Sequence, residues 1–401
     1  MAERTCLQGT KTIRLSLTIR KRKGYLVFLL LCITALLFGT YIELLYIIRC
    51  FSESVKKDFQ QSDVVSLNTL RHGDAVNTNQ RSISSVKQFD IFGGKEKLIV
   101  WYNAARQHWN KSFTGIANCG QHRCKISQNP DHVPQADGVI VNAFYLKPNE
   151  RPRNHSMKQM WIFYCKEPPS NLYSVKFPSR YWGKVFNWTL TYRADSDFVF
   201  PYGALYEKRN PVKRDWMKIA KEKSKSVAWF VGNCKTSSRR EDYVRKLQSY
   251  GINIDIYGRC GKFKCPRKDE RACLKDYRFY LAFENSFCSD YVTEKFFKTF
   301  EHDIIPVVRG GANYTHLFPR ECVINTADFR HIRDLGSYLL RLEKNLTEYA
   351  SYLQSKGRYR IGYPQPWCDI CNRLFNIPKQ KQTYDIDEWL RKKPCYKPRD
   401  I

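Results

Sequence analysis

Residues Phe279 to Lys295 place aromatic, amide, carboxylate and ammonium side chains within a single short run. Tyr280, Asn285, Tyr291 and Glu294 offer a stacking face and hydroxyl-directed hydrogen bonds, as a nucleotide sugar requires. Thr293, Glu294 and Lys295 open a helix, and a helix start beside an ammonium is a natural seat for a diphosphate. The apolar stretch Tyr280 to Phe283 is a buried strand feeding this polar turn. A second apolar run, Ile304 to Val308, follows and ends in Arg309-Gly310-Gly311. An ordinary βαβ unit whose polar residues only cap its elements has the same local pattern.

Three further groups carry possible chemistry. Glu167 stands just past the strand Lys158 to Tyr164 and is locked by Pro168 and Pro169. Open α/β sheets place their sites at that end, and a partly desolvated carboxylate there can act as a general base. Arg239 and Arg240 open a helix, Arg240 seven residues after Asn233; a planar guanidinium suits a diphosphate, though either can equally be a surface charge, the reading favoured for Arg239. Asp195-Ser196-Asp197 has the form that holds a divalent metal in one glycosyltransferase class.

The positioning elements are mostly short apolar strands: 98–102, 136–141, 158–164, 227–234, 254–258, 280–283 and 304–308. Helical periodicity marks 239–247 and 335–354. The order strand, turn, helix, strand after residue 227 is half of a Rossmann-like sheet.

Net charge is +30, from 68 Lys and Arg against 38 Asp and Glu. The basic residues are spread through aromatic, cysteine-bearing sequence without a nucleic-acid module, so an anionic small molecule or anionic lipid fits better. Fifteen cysteines and the sequons at Asn110, Asn154, Asn187, Asn313 and Asn345 favour an oxidising, lumenal compartment. Cys260-x4-Cys265 and Cys368-x-x-Cys371 fit zinc or disulfides, with disulfides favoured in that compartment and their connectivity open.

Residues 1–24 form a basic tail, and 25–48 carry an apolar run long enough to span a bilayer as a type II signal anchor. Residues 49–95 are polar and read as a stem. The expected body comprises a first domain over 96–210, a linker over 211–226, a second domain over 227–377 and a tail over 378–401.

Phe279 to Ser286, Asp290 to Lys295 and Ile305 to Tyr314 together resemble the donor-binding signature of the α1,3-fucosyltransferases. The match covers roughly residues 96–395. It implies a GT-B type α/β fold, two Rossmann-like domains facing across a cleft, with GDP-fucose as donor and an N-glycan GlcNAc as acceptor. It implies Glu167 as catalytic base, in a segment similar to the family's Glu-Ser-Pro region with Pro168 replacing Ser. It also implies Tyr202, Asn233, Arg240, Tyr280, Asn285, Tyr291, Glu294 and Lys295 as donor contacts. On this resemblance no cofactor or metal is required, a divalent metal being at most stimulatory, and Asp195 and Asp197 are structural. The expected location is the Golgi membrane, single-pass, with the body in the lumen.

One departure bears on the acceptor. Vertebrate Lewis-type members carry a His-His-Arg/Trp-acid motif where this chain reads Asn142-Ala143-Phe144-Tyr145, which leaves core and antennal acceptors both open. Two rivals stand beside this reading: a metal-dependent GT-A transferase using Asp195 and Asp197, and an inactive, membrane-anchored glycan-binding protein.

Overall fold

The computed structural model describes residues 96–401 apart from 104–113, 147–148, 150–151, 175–180, 267–268 and 378–379. The expected tail, membrane span and stem lie outside the described residues, as does Asn110. Among the described residues no helix is long and apolar enough to cross a membrane.

Strands β1 (Lys97–Trp101), β2 (Gly115–Cys119), β3 (His122–Ser127), β4 (Gly138–Asn142), β5 (Met160–Cys165), β6 (Trp188–Thr191) and β7 (Phe198–Val199) build a first sheet in the order β2-β3-β1-β4-β5-β6-β7. It is parallel except for the β2–β3 hairpin. Strand β8 (Ala204–Glu207) leads away from it. Strands β9 (Lys225–Phe230), β10 (Ile254–Tyr257), β11 (Tyr277–Phe283), β13 (Ile305–Arg309) and β14 (Ile324–Asn325) form a second, fully parallel sheet in the order β10-β9-β11-β13-β14. Strand β12 (Phe287–Cys288) pairs with β16 (Cys395–Tyr396), and β15 (Tyr359–Gly362) pairs with β8. The two mostly parallel sheets give the two-domain α/β architecture expected of a GT-B type chain.

Both faces of each sheet are covered, which is why the strands are continuous apolar runs and not alternating ones. Residues 279, 281 and 283 of β11 face one core with Leu335, Leu339 and Tyr349, while 280 and 282 face another with Phe296 and Tyr314. In the first sheet β1 is flanked by β3 on one side and β4 on the other, and in the second β9 is flanked by β10 and β11. Each therefore has a switch point, between β1 and β4 and between β9 and β11, and such crevices at the carboxyl ends of strands are where open sheets bind ligands.

Two expectations are corrected here. The helix expected over 335–354 is two helices, Ile332–Lys344 and Leu346–Gly357, because Asn345 ends the first and its side chain accepts from the Glu348 amide to start the second. The second domain does not run to residue 377, nor is 378–401 a mere tail. Helix Trp367–Phe375 packs Trp367, Ile370, Cys371 and Leu374 onto the first sheet, and helix Ile386–Lys392 packs Ile386, Trp389 and Leu390 onto that sheet's other face. The chain thus returns to the domain it left.

Two bridges hold this return, Cys119–Cys368 and Cys124–Cys371. Cys234–Cys260, Cys265–Cys273 and Cys288–Cys395 complete the set among the described residues, where Cys165 and Cys322 are buried thiols. Among the sequons, Asn187 is engaged: its Oδ1 accepts from the Trp161 amide at 2.9 Å and its Nδ2 donates to the Gln382 carbonyl at 3.0 Å. Asn154, Asn313 and Asn345 are exposed.

The bridges from Cys119 and Cys124 close nearly the same loop, with sequence separations of 249 and 247. Either alone removes most of that loop's entropy from the unfolded chain. Replacing Cys119 and Cys368, the less buried pair, by Ser is expected to lower stability little. Replacing all four cysteines is expected to cost about 2–5 kcal/mol, read as the difference in guanidinium unfolding midpoints.

Candidate active site

Glu284 follows β11 directly and has no solvent exposure. Its amide donates to the Arg309 carbonyl at 2.9 Å, continuing the pairing with β13. Its carboxylate accepts from the Thr293 amide at 2.8 Å and from Thr293 Oγ1 at 3.0 Å, so the strand end holds the start of the next helical turn nine residues on. Lys295 Nζ reaches Glu284 Oε2 at 3.1 Å and Thr293 Oγ1 at 2.7 Å. Burial pushes the Glu284 pKa up against the opposing pull of Lys295. Burial also pulls on Lys295, but Glu284 and Glu294 hold it above the ordinary lysine value, so the ammonium stays charged. The helix expected after Thr293 is one α-turn, Glu294–Phe297, continued as a 3-10 turn to Glu301.

Gly310 and Gly311 let this loop close down. A Cβ at Gly311 would stand 2.5 Å from the Cys288 amide nitrogen, and one at Gly310 2.9 Å from the Tyr314 hydroxyl.

Arg240 lies in the crevice between β9 and β11. Its guanidinium donates to the Phe283 carbonyl at 2.8 Å and the Asn233 carbonyl at 3.2 Å, the two chain ends that flank the switch point. It is 3% exposed, so this fork braces the crevice from within instead of projecting into solvent. The helix it opens, Arg240–Ser249, follows a left-handed Arg239 and has no side-chain cap on its first amides.

On the first sheet, Glu167 stands two residues past β5, half-buried, and accepts from Asn171 Nδ2 at 2.7 Å. The following helical turn carries Ser170, whose hydroxyl meets Ser286 Oγ at 3.1 Å; Ser286 Oγ in turn lies 3.2 Å from Ser237 Oγ. Three hydroxyls therefore run from the Glu167 loop across to both loops of the second sheet's crevice.

Lys166 is a group the sequence reading did not single out, since nothing in its spacing marks it. Its Nζ lies 3.8 Å from the Phe200 ring centroid and 4.8 Å from that of Tyr202, and donates to the Pro201 carbonyl at 3.1 Å. Burial lowers its pKa to about 8, with Glu294 acting in the opposite sense. Tyr202 donates its hydroxyl to the Lys166 carbonyl at 2.6 Å and sets its ring edge-on to Tyr291, centroids 6.2 Å apart. Burial, reinforced by carboxylates including Glu167 and Glu294, raises both phenols well above the ordinary tyrosine value.

Of the residues expected at a site, Glu167, Tyr202, Tyr291, Glu294 and Lys295 converge between the sheets. Asn285 lies on the loop between them, and its buried Oδ1 has no partner among the described residues. Asn233 is exposed beside the β9–β11 crevice. Tyr280 differs: it is 1% exposed and packed beneath Phe230 and Lys298, so it supports the wall and presents no surface of its own.

Asp195 and Asp197 are engaged by protein donors. Arg193 grips Asp195 at 2.8 and 2.6 Å, and Asp197 accepts from the Thr189 amide at 2.8 Å and from Arg373 at 3.0 Å.

The geometry thus combines an oriented carboxylate, three cations and hydroxyl-bearing aromatics, a set suited to moving a proton and offsetting negative charge. Comparison with known proteins agrees in character. Residues 94–203 match the model "Fucosyltransferase, N-terminal", and 220–389 match "Glycosyltransferase family 10 (fucosyltransferase) C-term". The chain is 31% identical over 362 residues to Alpha-(1,3)-fucosyltransferase C of Drosophila melanogaster, covering 82% of this chain and 83% of that protein. It is 35% identical over 314 residues to Glycoprotein 3-alpha-L-fucosyltransferase A of the same organism, covering 74% and 61%. A crystal structure of an alpha1,3-fucosyltransferase overlaps 75% of this chain and 94% of its own at 16% identity and a TM-score of 0.49.

Glu284→Gln leaves Lys295 without its buried counter-charge and Thr293 with a weaker acceptor. We expect a loss of about 3 kcal/mol or more in urea unfolding. Glu294, whose side chain is 62% exposed, should change stability by less than about 1 kcal/mol as Gln.

Proposed function

The chain belongs to the glycosyltransferase family 10 fucosyltransferases, and from that premise we propose that it transfers L-fucose from GDP-β-L-fucose, in α1,3 linkage, to a GlcNAc of glycoprotein N-glycans. The observation that carries this reading is the hydroxyl chain Ser170–Ser286–Ser237, which ties the Glu167 loop to the crevice at the end of β9 and β11. A base on one sheet and a diphosphate seat on the other are thereby held in one frame.

In the proposed reaction the Glu167 carboxylate takes the proton of the acceptor hydroxyl. The hydroxyl oxygen attacks the fucose anomeric carbon from the face opposite the diphosphate. The bond from that carbon to the GDP oxygen breaks, inverting the centre, and its electron pair leaves with GDP. Asn171 holds the Glu167 carboxylate in place. Lys295, supported by Arg240 and Lys166, offsets the charge that builds on the leaving diphosphate. Asn285 Oδ1, a buried acceptor without a partner among the described residues, suits a donor hydroxyl or amine. Tyr202, Tyr291, Asn233 and Glu294 complete the donor surface, with Tyr280 behind it.

No cofactor is required on this reading. The rival GT-A arrangement loses support because Arg193, Arg373 and Thr189 already engage Asp195 and Asp197. The five disulfides among the described residues suit an oxidising lumen, in keeping with a type II protein of the Golgi membrane.

The test is GDP release from GDP-fucose by the full-length chain in detergent, in chelator, with core and antennal N-glycan acceptors. Wild type is expected to turn over, with Glu167→Gln slower by about 10²–10⁴ and still binding GDP-fucose. Equal turnover by the Gln variant would remove Glu167 from the chemistry. Binding without turnover on any acceptor would favour a glycan-binding protein.

A second expectation concerns pH. Burial depresses the Lys166 pKa to about 8, so its charge is present below that pH and fades above it. For the donor, kcat/KM should therefore fall as pH rises through about 8, and Lys166→Met should flatten that limb while lowering the plateau.

A further inference from the structure

The last residues of the chain end on the donor-side loops. Helix Ile386–Lys392 is packed on the first sheet, yet Cys395 and Tyr396 cross to the second and pair antiparallel with Phe287 and Cys288. The Cys288–Cys395 disulfide fixes that crossing. Five residues after Cys395, Asp400 grips Arg309 with two hydrogen bonds, Nε to Oδ2 at 2.9 Å and Nη2 to Oδ1 at 2.6 Å.

Arg309 is 0% exposed and ends β13. Its remaining Nη1 donates to the Ser238 carbonyl at 2.8 Å, and its guanidinium lies over the Tyr243 and Phe287 rings at 4.5 and 4.6 Å. Ser238 in turn donates its amide to the Asn285 carbonyl at 3.1 Å. One guanidinium thus touches the loop before Arg240, the helix Arg240–Ser249 and the loop after Glu284. Those are the walls of the β9–β11 crevice. The carboxylate that neutralises this buried cation is that of Asp400, on the segment that follows the Cys395 crossing.

We propose that Asp400 is a positioning residue for the donor site. The strap 395–400 sets the spacing of loops 233–240 and 284–288 through Arg309, and so tunes affinity for the nucleoside diphosphate without touching it. The strap is anchored to the donor loop at two independent points, the disulfide and the ion pair, and only the second reaches Ser238. Loss of Asp400 leaves the buried Arg309 guanidinium charged, with the Ser238 carbonyl as its one remaining hydrogen-bond acceptor among the described residues, so the cost falls on the contact that spaces the two loops. This inference rests on the function proposed above.

The experiment compares GDP binding by calorimetry, and GDP-fucose and acceptor kinetics, for full-length wild type, Asp400→Asn, Asp400→Glu and the double variant Arg309→Met/Asp400→Leu. Asp400→Asn is expected to raise the GDP Kd and the GDP-fucose KM at least tenfold. The acceptor KM should stay within twofold, and Asp400→Glu should recover most of the loss. The double variant removes the buried cation together with its partly exposed partner, so no unpaired charge is left inside while Ser238 is released, and the same donor-selective loss is expected from it. Should Asp400→Asn not fold, the double variant decides. Unchanged GDP binding in a folded variant would overturn the inference, as would a parallel loss of donor affinity, acceptor affinity and Tm. Wild type that binds no GDP would instead overturn the proposed function, and the inference with it.

Discussion

A carboxylate with no solvent exposure, Glu284, closes the central strand of the second sheet, and it must be matched by donors or become protonated. Thr293 supplies an amide and a hydroxyl, and Lys295 supplies the counter-charge. Residues 285–292 are therefore a loop of fixed span, closed at both ends by one side chain. Asn285, Ser286 and Tyr291 take their places from that closure. The strand brings no other charged side chain to its carboxyl end, so the geometry of the loop rests on one buried anion being satisfied.

The two sheets meet through polar contacts of ordinary strength in an unusual arrangement. Ser170, Ser286 and Ser237 pass hydroxyl to hydroxyl from the first sheet to the second. Tyr202 stands on the segment leaving the first sheet, gives its hydroxyl to the backbone next to Glu167 and sets its ring against Tyr291. A Cβ on the adjacent Gly203 would lie 2.7 Å from the Phe297 ring, so the connecting segment runs tight against the second domain. Each contact is weak by itself. Together they fix Glu167 relative to the loop that Glu284 closes.

Much of this was legible in the sequence because both sheets are buried on two faces. Continuous apolar runs located β1, β4, β5, β9, β10, β11 and β13 to within a few residues. Glu167, Asn285 and Tyr291 emerged at strand ends and loops, where polar residues stand out against apolar surroundings. Facing was less legible. Tyr280 and the polar residues that follow it belong to one run, and only packing shows that its ring points into the core with Phe296. Lys166 acquires its cation–π partners from residues more than thirty positions away in the chain. The return of residues 367–392 to the first sheet depends on pairing between cysteines whose partners no spacing rule identifies. Asn345 breaks a periodic stretch because a cap outweighs propensity locally.

That return also has a consequence for how the molecule is made. The first sheet emerges early in synthesis, yet two of its covering helices and the cysteine partners of its hairpin are encoded after residue 366. Its hydrophobic faces near Trp101, Ile162 and Phe163 stay open until nearly the whole chain has been delivered. Such long-range closure is slow and leaves apolar surface exposed meanwhile. On this connectivity the second sheet can close before residues 367–392 cover the first.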